Sequence, residues 1–250
     1  VRDHARISLV IPARNDAEAL GRTLDHLDTL RGRETLEVIV AAAGALDAVE
    51  RAVAGRARVL APRGSTRAAL MNAGAAVAVG DVLWFLHADS LPPPDAPALI
   101  ARAMADPRVV SGAFAHRFCE RTASLRAINL INRLRYRLTR NYYGDQGIFV
   151  RAAVFRALGG YPDLGLMEDL ILSQRLKRRG RPALIATPLV TSGRRFLARG
   201  PWRTFAFITW LLLLHTLGLD TQRYADRWRG PGDRAPGSPW TASAPEGPRP

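Results

Sequence analysis

The stretch VLWFLHADSLPPPDAP (Val82–Pro97) decides how the chain is read. An apolar run, Val82 to Leu86, passes without a break into His87-Ala88-Asp89-Ser90 and then into Pro92, Pro93 and Pro94. Consecutive apolar residues suit a strand covered on both faces, as in parallel sheets. A carboxylate at the end of such a strand stands where α/β sheets bind ligands, beyond the carboxyl ends of the strands. Divalent cations that hold phosphoanhydrides take carboxylate oxygens, and a proline-stiffened loop would pre-organise Asp89 for that task. The plain alternative is that Asp89 caps a turn, or the helix that begins near Asp95.

Working outward, the first half alternates between two periods. Ile7–Pro12, Leu36–Ala43, Ala57–Pro62 and Asp81–His87 read as buried strands. Between them, Asp16–Leu30 carries Leu20, Leu24, Leu27 and Leu30 at helical spacing, and Ser65–Val79 is an alanine-rich helix. This rhythm predicts an α/β fold, a doubly wound, mostly parallel sheet with helices on both faces. Beyond Asp106 the pattern is mixed. Val109–Phe118, Gln146–Val150 and Pro182–Gly193 read as strands, and Arg151–Leu158 and Met167–Arg179 as helices. Ser124–Arg140 reads as an amphipathic helix, with Arg126, Arg133, Arg137 and Arg140 on one side and Leu125, Ile128, Ile131 and Leu138 on the other.

Composition narrows the classes. At 250 residues there is ample length for a core, and 48% apolar residues exclude wholesale disorder. The single cysteine, Cys119, forms no internal disulfide, so a reducing cytoplasmic interior is the default compartment. The charged start, Val1-Arg2-Asp3-His4, is not expected to be a signal peptide. Net charge is +14, with Lys177 the single lysine among 36 basic residues. Such arginine bias often reflects the coding genome; read functionally, it suits a phosphorylated substrate or an acidic membrane surface. Aromatic residues are 7%, and no nucleic-acid-binding motif accompanies the charge, so nucleic acid is not expected as a partner.

Two later clusters carry chemistry. NYYGDQGIFV places Asp145 and Gln146 between two glycines ahead of a strand, and YPDLGLMEDL places Glu168 and Asp169 at a loop-to-helix junction. A carboxylate in that position can meet a substrate hydroxyl. The alternatives are a tight turn for Gly144–Gly147 and a helix-dipole charge for Glu168-Asp169.

The order ISLVIPARND, GSTRAALMNAGAAVAVGDVLWFLHADS, GDQGIFV, GGYPDLGLMEDLILSQRLKRRG and TSGRR resembles the family 2 glycosyltransferases of GT-A fold. Within them it is similar to a small bacterial branch whose metal motif is His-Ala-Asp. The likeness runs from Ile7 to about Tyr224. It implies a single domain over 1–224, with a nucleotide-binding half (1–106) and an acceptor half carrying the C-terminal helices (107–224). It also implies a nucleotide-sugar donor, Mg2+ or Mn2+ as cofactor, and transfer with inversion. By the same resemblance, Pro12, Arg14, Asn15, Arg67, Asn72, Gly74 and Asp89 fall on the donor side, Asp89 being the metal ligand. Asp145, Gln146, Arg194 and Arg195 fall on the acceptor or diphosphate side, and Asp169, beside Glu168, matches the general base.

One motif departs from the family pattern. Where relatives carry Asp-Gly-Gly-Ser-Thr-Asp after the second strand, this chain has AAGALD, with Ala42 in place of the base-binding Asp. A different donor base, weaker donor binding and lost catalysis remain open, with a catalytically silent nucleotide-binding protein as the alternative function. A nucleotidyltransferase is disfavoured because PARNDAEALG lacks a glycine-rich, basic signature after the first strand. The uncharged Thr204–Leu219 is shorter than the ~20 residues needed to span a bilayer. It reads either as a core helix or, with Trp202 and Trp210, as a peripheral contact at the inner face of the cell membrane that reaches a lipid-linked or anionic acceptor. Pro, Gly and Ser dominate from Arg229, and 225–250 is expected to be a disordered tail.

Overall fold

The structure is a computed structural model that describes residues 6–228. Its strands are β1 (Ile7–Arg14), β2 (Leu36–Ala43), β3 (Arg58–Leu60), β4 (Val82–Phe85), β5 (Ser90–Leu91), β6 (Val109–Phe118), β7 (Phe149–Arg151) and β8 (Arg181–Thr191). They form one sheet in the order β3-β2-β1-β4-β7-β6-β8-β5. β1 to β4 are mutually parallel, β7 runs against both β4 and β6, β6 and β8 are parallel, and β5 runs against β8.

The apolar runs have their expected cause: both faces of the central strands are covered. Leu9, Ile11, Val38, Val40 and Trp84 point to one side, where α1 (Ala17–Leu27), α2 (Leu46–Val53) and α4 (Ala96–Met104) supply Leu20, Leu24, Val49, Val53 and Ile100. Their neighbours Val10, Ile39, Leu83 and Phe85 point to the other. There α3 (Arg67–Val77), α6 (Ala152–Ala157) and α7 (Glu168–Lys177) supply Met71, Ala75, Phe155 and Leu172. α2 was not expected, although Leu46, Val49 and Val53 have helical spacing.

Two expectations change at the C-terminal end. In α5 (Ala123–Thr139), Leu125 and Ile128 are buried, but Ile131 is 40% and Leu138 77% exposed. The helix therefore does not bury the whole predicted apolar side. The C-terminal apolar segment forms α9 (Pro201–Thr216), preceded by α8 (Arg194–Arg199). Only Thr204, Leu211 and Leu214 of α9 are buried, so it is a surface helix packed along one edge and not a core helix. Among the described residues no helix is long and apolar enough to cross a membrane. Residues Ala225–Trp228 form a short helix, α10, whose Trp228 stacks on Phe207. The expected tail therefore does not start at 225, and its remainder lies outside the described residues.

Candidate active site at the carboxyl edge of the sheet

Asp89 is positioned by the loop that first drew attention. Ser90 and Leu91 form β5 against Thr191 and Val190, which brings Asp89 beside the chain that continues into Ser192-Gly193-Arg194. α1 and the turn after it hold the same loop: Thr23 Oγ1 donates to Ala88 O (2.7 Å), His26 Nε2 lies 2.7 Å from Pro92 O, and Arg31 N, beyond the helix, donates to Pro94 O (2.9 Å). Pro92 and Pro94 thus present carbonyls that this segment fastens.

Burial raises the Asp89 carboxyl above its ordinary range, and the like charge of Asp16 adds to this, while Arg194 and Arg67 pull it down. Asp16 caps α1 by accepting from Ala19 N and forms an ion pair with Arg194. A carboxylate raised by burial, with a second carboxylate and arginines beside it, suits a divalent cation. Among the described residues no three metal-ligating side chains cluster. One or two carboxylates hold a Mg2+-type ion only together with substrate phosphates and water.

The remaining residues expected on the donor side divide into two sets. Pro12 and Arg14 lie at the end of β1, beside Ala41 and Ala43, and the Arg14 guanidinium donates to Ser65 O (3.4 Å). Asn15 has φ 52° and lies over Gly44, whose φ of 94° and lack of a Cβ let the amide sit there: a Cβ would stand 2.1 Å from Asn15 Oδ1. Arg67 opens α3 and pairs with Glu168 (3.5 Å), which is buried. All four stay at the strand ends.

Asn72 and Gly74 do not. Asn72 donates to Tyr161 O and accepts from Tyr161 N, both at 2.9 Å, so its amide clamps the turn after α6. Gly74 is where α3 crosses β1; a Cβ there would lie 2.4 Å from Val10. Both are packing positions. Asn72→Ala leaves two backbone groups of Tyr161 unpaired and should destabilise the fold by about 2–3 kcal/mol, read as a lower urea midpoint. An unchanged midpoint would remove this clamp from the account.

Asp145 and Gln146, expected on the acceptor side, belong to Tyr143–Gln146, a tight 3-10 turn pinned from two directions. Gln146, buried, accepts from Tyr143 N (3.0 Å) and donates to Phe114 O (3.1 Å), which makes it a support of the turn. Asp145 is partly open and lies 3.6 Å from His116 Nε2. The Arg135 guanidinium stacks 3.7 Å over the Tyr143 ring.

Asp169 reaches the same turn. Its Oδ2 accepts from Gly144 N (2.6 Å) and its Oδ1 from Leu170 N (2.7 Å). Burial pushes its carboxyl up to about 6, and the neighbouring Glu168 charge adds to this, against the Gly144 N–H, Arg67 and the Leu170 N–H. His87 lies beneath the turn: a Cβ on Gly144 would stand 2.6 Å from its Nε2, an atom that is buried and has no hydrogen-bond partner among the described residues. Burial, then Arg67, Arg195 and His116, hold this imidazole well below its ordinary range, so it is neutral. The first position of the His-Ala-Asp motif therefore adds no positive charge.

Arg194 and Arg195 open α8. Arg194 meets Asp16 and acts on Asp89, and Arg195 lies over the Trp228 ring (5.1 Å) while acting on His87. The structure thus groups Asp89, Asp16, Arg67, Glu168, Asp169, Asp145, Arg194 and Arg195 around one edge of the sheet. Sequence reasoning missed Asp16 and His116. Asp16 lies inside the quoted ISLVIPARND motif, whereas His116 carries no signal beyond its place on a strand.

Solved structures with the same architecture support the GT-A fold. A mannosyltransferase from Pyrobaculum calidifontis, solved with GDP-Man and Mn2+, matches with TM-score 0.59 at 22% identity, covering 76% of this chain and 58% of that one. TarS 1-349 from S. aureus matches with TM-score 0.59 at 13% identity, covering 75% and 60%. Its complex with UDP-GlcNAc gives TM-score 0.58 at 14% identity, covering 75% and 58%. The chain thus spans less than two thirds of the length of these structures. No curated protein matches the sequence. A family model described as glycosyl transferase family 2 matches residues 8–159, more than half of the chain, and the chain belongs to that family.

Proposed function

We propose that the protein moves a sugar from a nucleotide-sugar donor to an acceptor hydroxyl, with inversion, in a single displacement. The observation that carries this reading is the presence at one sheet edge of two carboxylates, both raised by burial but set among different partners. Asp89 faces arginines and Asp16, and Asp169, pushed up to about 6, lies under the turn that presents Asp145. A base with a pKa near working pH accepts a proton efficiently yet is mostly ionised at neutrality.

In this reading Pro12, Arg14 and Asn15 border the nucleotide, and Asp89, with Asp16 beside it, would hold Mg2+ or Mn2+. When bound, that ion neutralises charge on the departing diphosphate. Arg194, Arg195 and Arg67 add fixed positive charge at the same place. Asp169 takes the proton of the attacking hydroxyl, and Glu168, held by Arg67, keeps negative charge beside it. Asp145 faces the acceptor, which is lipid-linked or otherwise anionic and reached from a membrane surface. Asn72, Gly74 and Gln146 support the framework.

A second reading, a nucleotide-binding protein without turnover, rests on Ala42. This residue is 1% exposed and belongs to the core, where a carboxylate would otherwise accept from a base. The deciding experiment is transfer or hydrolysis over a panel of nucleotide sugars with Mg2+ or Mn2+. Turnover of one donor that EDTA abolishes supports the transferase. Binding without turnover of any donor supports the silent reading.

A further inference from the structure

Helix α5 has three faces. Leu125, Ile128 and Tyr136 turn inward, and Arg126, Arg133, Arg137 and Arg140 follow one flank. Leu130, Leu134 and Leu138, spaced four residues apart, turn outward at 68%, 57% and 77% exposure. The helix contains no acidic residue. Beside the arginine flank lies a cavity of about 470 Å3. Arg117, Arg121, Arg126 and Arg133 bound it, and Phe118 and Leu130 give it an apolar wall. Its one carboxylate, Glu120, already accepts from Gly193 N (2.7 Å) and Ser192 Oγ (3.4 Å). An exposed tryptophan borders the region: Trp202 meets Phe205 edge-on, and Phe205 packs with Leu125 and Ile128.

We propose that α5 docks on an anionic lipid bilayer, with Leu130, Leu134 and Leu138 among the acyl chains and the arginine cavity holding a phosphate headgroup. An outward apolar stripe beside a basic flank is the pattern of a helix lying in the membrane interface. The arginines choose the occupant, because a neutral protein surface has no use for four guanidinium groups around one apolar-walled cavity. The docking also serves the site. Asn129 and Arg133 line a second cavity of about 240 Å3, which contains Asp145, so a headgroup bound at α5 adjoins the acceptor side. The proposal deepens the membrane contact named above and moves it from the Thr204–Leu219 segment to α5. It does not depend on the transfer reaction.

The test is cosedimentation of the full chain with phosphatidylcholine vesicles, with and without phosphatidylglycerol, at low and high salt. Binding should require phosphatidylglycerol and weaken with salt. Arg121→Gln and Arg126→Gln should each lower partitioning about fivefold. Leu130→Ser/Leu134→Ser/Leu138→Ser should abolish it, since each leucine is expected to contribute about tenfold or more. These leucines are solvent-facing, so circular dichroism should show an intact fold. Equal binding to both vesicle types, or variants that bind like the wild type, would overturn the proposal. So would a dimer in sedimentation velocity that the triple substitution disperses, because the stripe would then join two copies. Donor turnover in vesicle-free solution, measured on the same proteins, judges the transferase reading separately.

Discussion

Asp169→Asn should lower transfer by about 10²–10⁴-fold while donor affinity stays within a few-fold. The substitution preserves size and removes the capacity to take a proton. The single amide oxygen can keep only one of the two N–H bonds, from Gly144 and Leu170, that the carboxylate accepts. Because burial and Glu168 push Asp169 up to about 6, wild-type kcat should rise with pH through that value and fall about tenfold per unit below it. The sign for stability is opposite. The folded pKa lies above the ordinary 3.8, so the stabilising contribution is complete below about pH 4 and is lost as pH rises through about 6. At neutral pH the buried charge costs roughly 3 kcal/mol. The thermal midpoint of the Asn variant should therefore gain on the wild type between pH 4 and 7. Full activity in Asp169→Asn, or a wild-type profile flat across pH 5 to 7, would remove Asp169 as the base.

Asp89→Ala should weaken metal-dependent binding of a nucleoside diphosphate by about thirtyfold or more, as expected when one partner of a desolvated charge contact is removed. Isothermal titration with UDP and GDP, each with and without Mn2+, reads this directly. The variant should lose the difference that the metal makes and keep the weaker metal-independent binding that Arg67, Arg194 and Arg195 provide. Asp16→Asn makes a graded comparison. It releases Arg194 from its ion pair and lowers the negative charge near Asp89, so the metal effect should shrink but persist. If Asp89→Ala binds diphosphate and Mn2+ as the wild type does, Asp89 holds no cation.

The parallel half of the fold was legible because its cause is local. Val10 and Leu9, Ile39 and Val40, and Leu83 and Trp84 are adjacent apolar residues that serve opposite faces. A strand covered on both sides calls for such a pattern. β5 was not legible, since a two-residue strand has no period, and neither was the use of α5's leucines. Apolar residues form two stripes on that helix, Leu125-Ile128-Tyr136 and Leu130-Leu134-Leu138, and spacing cannot say which faces the core. Asn72 illustrates the same limit. It sits in a motif that resembles donor-binding segments, yet its amide is satisfied by Tyr161, 89 residues later in the chain.

The sequence by itself determined the types of group available: a carboxylate at the end of β4, a carboxylate pair at the start of α7, a basic pair after β8, and no carboxylate at Ala42. These follow from strand ends, helix starts and residue chemistry, all of which act over a few residues. Tertiary structure alone decided which groups meet. Asp16 and Arg194 are 178 residues apart and pair because β5 lies on β8; Gly144 gives its N–H to Asp169 because the turn before β7 folds over α7. Proton affinities were likewise decided there, since burial and neighbouring charge set them, and both arise only when distant parts of the chain come together.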